Sequence, residues 1–173
     1  EKFKDIKPVD QLNTKHHDGP VTISADGEIM FFASESFRGG KFEKDKKNRL
    51  KKSKISVYRA KRDKDKWKDI EPVPFNSTEY MVSNPAITPD GKVLYFASDM
   101  PGTIGDMDIW KVDLLEDGTY GTPENLGTIV NTEGRESFPF ISDDGKLIFA
   151  SNAHKGFGGL DLYMYDLTDE NAK

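Results

Sequence analysis

The chain has 173 residues, 35% of them apolar and 11% aromatic, which is enough for one ordinary domain or a few repeats. Cysteine is absent, which excludes a disulfide framework, a thiolate metal site and a cysteine nucleophile, and no apolar run approaches the roughly 20 residues of a membrane helix. The net charge of -5 is divided: residues 1–80 hold 19 Lys/Arg against 14 Asp/Glu and residues 81–173 hold 6 against 16, an asymmetry that bears on association rather than on fold.

The chain opens on Glu1 with no charged-then-apolar signal segment after it, so a soluble piece, mature or excised, is expected. The first segment, Phe3 to Leu12, carries apolar residues and a proline and ends in Asn13-Thr14. His16-His17-Asp18 follows, but adjacent side chains on an extended chain point to opposite sides, so the three do not read as one ion site. Then comes Val21 to Ser34 around Asp26-Gly27, a phrase that returns as Pro85 to Ser98 around Asp90-Gly91 and as Pro139 to Ser151 around Asp144-Gly145. Spacings of 64 and 54 residues between these glycines mark a repeat architecture, in which each unit buries its apolar face on its neighbours. Each Asp-Gly pair stands between runs rich in Val, Ile, Phe, Tyr and Thr. It therefore predicts two antiparallel strands, a and b, joined by a type I′ turn with both central residues at positive φ. Strand b is almost unbroken in apolar character (Val93 to Ala97, Leu147 to Ala150), as for a strand covered on both faces.

A third run in each unit has an aromatic in its middle: Val57-Tyr58-Arg59-Ala60, Ile109-Trp110-Lys111-Val112 and Leu162-Tyr163-Met164-Tyr165. This is strand c. The fourth, Trp67 to Pro74 ending in Asn76-Ser77 and Tyr120 to Val130 ending in Asn131-Thr132, contains prolines that only an edge strand tolerates, so it is the outermost strand d. Phe3 to Leu12 reads as a further strand d. The order d, abcd, abcd, abc without helical periodicity predicts an all-β fold, a β-propeller with blades of four antiparallel strands. The divisions are residues 1–16 as the outer strand of a preceding or closing blade, 17–82 as a blade with a long basic loop at 35–55, 83–135 as a second blade, 136–168 as a third lacking its outer strand, and 169–173 as a tail. Three blades leave a gap around the axis, so either this is part of a longer propeller, the reading we favour, or Phe3 to Leu12 supplies the strand missing after Tyr165.

The candidate sites are few. The basic loop places Lys46, Lys47, Arg49, Lys51 and Lys52 where they could hold an acidic protein partner; Phe42 is its only aromatic, which argues against single-stranded nucleic acid. Asp106, Asp108 and Asp161 lie in Gly-rich loops and are weak candidates for calcium, because each loop offers too few carboxylates; Asp108 and Asp161 read instead as residues that fix the turn before strand c by accepting backbone amides. His154 has no sequence partner, and neither His-Glu-x-x-His nor Gly-x-Ser-x-Gly occurs. Strand a, taken as Val21 to Ser24, Ala86 to Thr88 and Phe140 to Ser142, carries no carboxylate, so catalysis at the central axis is not expected. No cofactor is expected.

The third unit, Glu136-Ser137-Phe138-Pro139 through Ser142-Asp143-Asp144-Gly145-Lys146 to Gly158-Gly159-Leu160-Asp161-Leu162-Tyr163, resembles the PD-type, WD-like repeat of TolB-type propellers. The linking phrases, Asn13-Thr14 with His17-Asp18-Gly19-Pro20, Pro74-Phe75-Asn76, and Asn125-Leu126-Gly127 with Asn131 to Glu136, look like the propeller of OmpA-family outer-membrane-associated proteins of Bacteroidetes, which accompany type IX secretion and gliding. The likeness spans roughly residues 5 to 168. It departs in the first unit, where Ser56 stands in place of Asp108 and Asp161 and the b–c connection runs 22 residues against 10. The resemblance implies a periplasmic, outer-membrane-associated protein-binding scaffold that is not an enzyme, does not bind nucleic acid or insert in the membrane, and meets peptidoglycan only through a domain absent from this chain. The alternative it leaves open is the propeller of a hydrolase, either a TolB-like peptidase or one acting on sugars.

Overall fold

Each Asp-Gly phrase forms a hairpin that seeds one sheet, in a computed structural model that describes residues 6–35, 43–44, 51–52 and 54–169. The strands are β1 (Asp18–Ile23), β2 (Ile29–Ser34), β3 (Glu43–Lys44), β4 (Lys51–Lys52), β5 (Ser56–Asp63), β6 (Lys66–Pro72), β7 (Val82–Ile87), β8 (Val93–Ser98), β9 (Asp108–Asp113), β10 (Glu124–Asn125), β11 (Glu136–Ile141), β12 (Lys146–Ser151) and β13 (Asp161–Asp166). They make two four-stranded sheets, β1-β2-β5-β6 and β7-β8-β9-β10, a three-stranded sheet β11-β12-β13, and the small ribbon β3-β4. The three larger sheets are antiparallel blades in the order a, b, c, d, the third ending at strand c, and no helix occurs among the described residues. The fold is a partial β-propeller.

Two interblade cores hold the sheets together. Phe31 and Val57 on the back of the first blade pack on Leu94, Phe96 and Val112 on the front of the second, with Val73 and Phe75 of the connecting segment between them. Phe75 stacks on Phe96 at 4.9 Å between ring centroids. Ala86, Tyr95 and Ile109 on the back of the second blade pack in turn on Leu147 and Phe149 of the third, with Val130 of the next connection inserted. The b strands β2 and β8 are buried at every position but the first, because a neighbour or a connecting segment covers each face. Tyr58, Trp110 and Tyr163 occupy one register, opposite Phe32, Phe96 and Phe149; Trp110 and Tyr163 pack between blades, while Tyr58 packs with Leu12, Met30 and Phe32 on the front of the first.

The a–b turn differs from a type I′ turn. Among its residues only Gly27, Gly91 and Gly145 take positive φ, at 76°, 72° and 79°, and the aspartates before them do not. The residue two before each Asp supplies the reason. Ser24 Oγ accepts the Ile29 amide at 3.0 Å while the Ser24 carbonyl accepts the Gly27 amide at 2.8 Å, and Thr88 and Ser142 repeat both contacts. A longer loop closed by a hydroxyl therefore replaces the two-residue turn.

The outer strands are also weaker than their composition suggests. The d segment of the second blade keeps only the two residues of β10, since Gly121, Pro123 and Gly127 at φ 72° interrupt it. At the N-terminus, residues 6–17 hold no strand: after Pro8 the chain turns, with the Leu12 and Asn13 amides both donating to the Val9 carbonyl. Phe3 to Asp5, at the start of that expected strand, lie outside the described residues.

Candidate functional site

The propeller segment has two rims. On the first, the three Asp-Gly turns carry carboxylates already committed to their own loops. Asp26 Oδ1 accepts from Ser24 Oγ and, at 2.9 Å, from the Glu28 amide; Asp90 Oδ1 accepts from Thr88 Oγ1 at 2.6 Å and from the Lys92 amide at 3.1 Å. The hydroxyl bonds first and the amide bonds second hold both below the usual carboxylate range. A cleft of about 300 Å³ opens between the first and second blades here, bordered by Asp26, Asp90, Arg59, Lys92 and Tyr120. Asp26 and Asp90 therefore stay ionised near neutrality and act there as acceptors and not proton donors.

The second rim gathers the b–c loops and the d–a connections. Asp108, fully buried, accepts the Ile104 amide at 2.7 Å, the Gly105 amide at 3.3 Å and Asn125 Nδ2 at 2.6 Å. Asp161 accepts the Phe157 and Gly158 amides at 2.8 and 3.0 Å. Both aspartates therefore pin the loop before strand c. Asp106 instead donates its amide to the Gly134 carbonyl at 2.7 Å, tying this loop to the next connection. Among the described residues no three His, Asp or Glu side chains come together.

The inner strands begin earlier than the pattern of apolar residues indicates, and two of them do start on an acid. Asp18 accepts the Thr14 amide at 2.6 Å and Ser34 Oγ at 2.7 Å; Glu136, fully buried, accepts the Thr132 amide at 2.8 Å, Thr132 Oγ1 at 2.7 Å and Ser151 Oγ. The expectation of carboxylate-free inner strands is thus corrected, but these acids are turned to the blade entrance and saturated by it. The recurring spacing Asn-Thr-x-x-x-Asp/Glu is the sequence signal of this lock.

At the mouth of the axis on this rim lies a second cleft, about 230 Å³, bordered by His17, Asn84, Met107, Arg135 and Phe138. Each inner strand has a register irregularity there, at Gly19-Pro20, Asn84-Pro85 and Phe138-Pro139. Asn84 and Phe138 are held at φ of 50° and 55°, a conformation L-residues with a Cβ avoid, and Phe138 remains 54% exposed. Beside it Arg135 Nε donates to Ser137 Oγ at 3.1 Å. Sequence reasoning missed Asn84, Arg135 and Phe138; the X-Pro pair at one place in every inner strand is the mark that points to two of them.

Of the basic candidates, Lys46, Lys47 and Arg49 lie outside the described residues. Lys51 and Lys52 form β4, paired with Lys44 and Glu43, in the connection that leaves this same rim between β2 and β5.

No protein-family model matches the chain, and no curated protein is similar to it. Solved structures do share its fold. TolB from Acinetobacter baumannii superposes with a TM-score of 0.54 at 16% identity, over 91% of this chain and 32% of that one. A puromycin-hydrolyzing peptidase from Mycobacterium tuberculosis gives 0.56 at 17% identity, over 87% and 22%. Prolyl oligopeptidase B from Galerina marginata gives 0.51 at 13% identity, over 88% and 20%. The fold is a TolB-like propeller, and the chain spans about a third or less of each of these proteins.

Proposed function

We propose that this chain is a non-enzymatic protein-binding scaffold, part of a periplasmic, outer-membrane-associated propeller in a cell-envelope complex of the type IX secretion and gliding kind. One observation carries the binding role: Phe138, more than half exposed in a strained backbone conformation, stands beside Arg135 at the mouth of the axial cleft. Exposed aromatic and arginine side chains are the groups that dominate protein interfaces, and strain held at an exposed position marks sites built for contact. The envelope setting is supported by the linking phrases of the sequence and by the TolB-like fold.

The partner is expected to be acidic where it meets the basic connection between β2 and β5 and apolar where it meets Phe138. The two peptidases among the structural neighbours favour the second reading, a propeller attached to a hydrolase, in which the same rim would face a catalytic domain. Crosslinking of the tagged protein in bacterial envelopes, with the captured protein identified, separates the two. Under the scaffold reading Phe138→Ala with Arg135→Glu abolishes capture, and reversing Lys46, Lys47, Lys51 and Lys52 weakens it with folding intact. Capture that survives both variants, or a captured partner carrying a serine-hydrolase domain on the same polypeptide, overturns it.

A further inference from the structure

At the joint between the first and second blades a guanidinium lies opposite a carboxylate and does not pair with it. Arg59 on β5 is the cross-strand neighbour of Glu71 on β6, yet among the described residues no ion pair or hydrogen bond engages its guanidinium. Its Nη1 reaches across the blade boundary instead, to 3.8 Å from where a Cβ on Gly118 would stand. The second blade makes the ordinary choice. Lys111, opposite Tyr95 as Arg59 is opposite Phe31, bonds its own cross-strand neighbour Glu124 at 3.2 Å. A requirement of the repeat would recur at both joints, whereas the unpaired cation is particular to the first.

Arg59 borders the cleft of about 300 Å³ on the rim of the Asp-Gly turns. The floor of this cleft is apolar: Phe31 and Ile87 are buried and Ile29 and Leu114 half-buried. Its walls are three turns, each tied by its own polar side chain. Ser24 and Thr88 close the two a–b turns, and in the c–d turn Asp117 Oδ1 accepts the Thr119 amide at 2.9 Å and Thr119 Oγ1 at 2.6 Å. Walls fixed in this way need little ordering when a ligand enters. The Lys92 ammonium and the Tyr120 hydroxyl also border the cleft, and neither has a hydrogen-bond partner among the described residues. Burial raises the Tyr120 phenol by more than the Arg59 charge lowers it, so the hydroxyl keeps its proton at neutral pH and can donate.

Donors and cations over an apolar floor fit a carboxylate that carries an apolar group beside it. The two cations of the lining stand against three acids, Asp26, Asp90 and Glu116, all exposed at the mouth. A doubly charged phosphate is therefore disfavoured, and a single carboxylate whose chain brings a cation past the acids is favoured. The last residue of a polypeptide meets these conditions at once, since its carboxylate and its side chain leave the same Cα. An internal Asp or Glu brings its charge without an apolar neighbour on the same residue.

We propose that this groove takes the free carboxyl terminus of a peptide chain, with the terminal carboxylate on Arg59, an apolar last side chain on Phe31 and Ile87, and a basic residue upstream passing Asp26 and Asp90. Capture of a chain end is one of the recurring modes of peptide recognition. The site lies on the rim opposite Phe138 and does not depend on the binding role assigned there.

The probe is the acetylated pentapeptide Ac-Ser-Lys-Gly-Leu-Phe, prepared with a free carboxyl end and as its amide, and titrated into the isotope-labelled full chain. The free acid is expected to bind at least about tenfold more tightly than the amide and to shift the Gly91 and Gly118 amide signals. Arg59→Gln is expected to weaken the free acid roughly ten- to a hundredfold, the loss of charge-assisted hydrogen bonds, and to leave the amide unchanged. Lys111→Gln at the second joint, and Phe138→Ala with Arg135→Glu on the other rim, are expected to bind the acid as the parent does, so this site and the scaffold reading fail separately. Equal binding of acid and amide by the parent chain, shifts confined to the other rim, or no binding of the acid at millimolar concentration would overturn the proposal. So would N-acetylphenylalanine binding as tightly as the pentapeptide, which would make the occupant a small acid, or an Arg59→Gln protein that melts as the parent does and binds the acid undiminished.

Discussion

Asn131, 1% exposed inside the joint between blades, holds both main-chain groups of Ile109, accepting its amide at 2.7 Å and donating from Nδ2 to its carbonyl at 2.9 Å, and Nδ2 also donates to Asn125 Oδ1 at 2.9 Å. A strand edge that a neighbouring strand would normally satisfy is here satisfied by one amide side chain, which lets β10 stop after two residues. Asn131→Ala is expected to destabilise the chain by about 2 kcal/mol or more, since two buried backbone groups lose their partners. Asn131→Asp should cost more at neutral pH, because a carboxylate would face the Ile109 carbonyl. Urea unfolding of the three proteins checks the order; equal midpoints would refute the clamp.

The glycines separate two kinds of requirement. Gly91 sits at φ 72° with open space where a Cβ would project, so Gly91→Val is expected to cost at least about 1–2 kcal/mol through backbone strain alone, while Gly91→Asn should be well tolerated. Gly105 has no positive φ, but a Cβ there would overlap the Thr132 and Gly134 carbonyls, so Gly105→Ala and Gly105→Asn are both expected to be strongly destabilising. Thermal melting of the four variants distinguishes conformational from steric demand.

Acid lability has a specific source in the third blade. Lys146, then Thr168, hydrogen-bond Asp166 and hold its carboxyl down to about 2, and the same contact raises the Lys146 ammonium. Because the folded value of Asp166 lies below its unfolded one of about 3.9, its contribution is present above pH ~4 and is lost as pH falls toward ~2. Asp166→Asn should therefore flatten the acid limb of a melting-temperature profile between pH ~4 and ~2. The effect is expected to be small, since the pair is open to solvent.

The two turn-fixing aspartates are expected to differ. Asp108 is fully buried and accepts three bonds, so Asp108→Asn should cost about 2 kcal/mol by turning a donor toward amides that need an acceptor. Asp161 is partly open to water and accepts two, so Asp161→Asn should cost less than about 1 kcal/mol. Equal losses in chemical denaturation would show that burial does not set the difference.

Much of this architecture could be read from residue order. Three Asp-Gly phrases between apolar runs were sufficient to place the hairpins, the c strands and the blade order, because strand pairing and period-two patterning are local properties. The turn type was not legible: Asp-Gly is shared by several loops, and the deciding partner was a hydroxyl two residues earlier, Ser24, Thr88 or Ser142. Composition also overrated the outer strands, since a proline-tolerant segment can either pair or be replaced by a side-chain clamp.

What the residues determined by themselves was the repeat and the hairpins that build it. What only the tertiary structure decided was which polar groups face one another across blades. Asn131 and Ile109 are separated by 22 positions, and Met107 and Phe138 border one cleft at the mouth of the axis, so their meaning depends on sheets that stack at a distance in sequence. Long-range packing is set by the sum of many apolar contacts, and no local pattern encodes that sum.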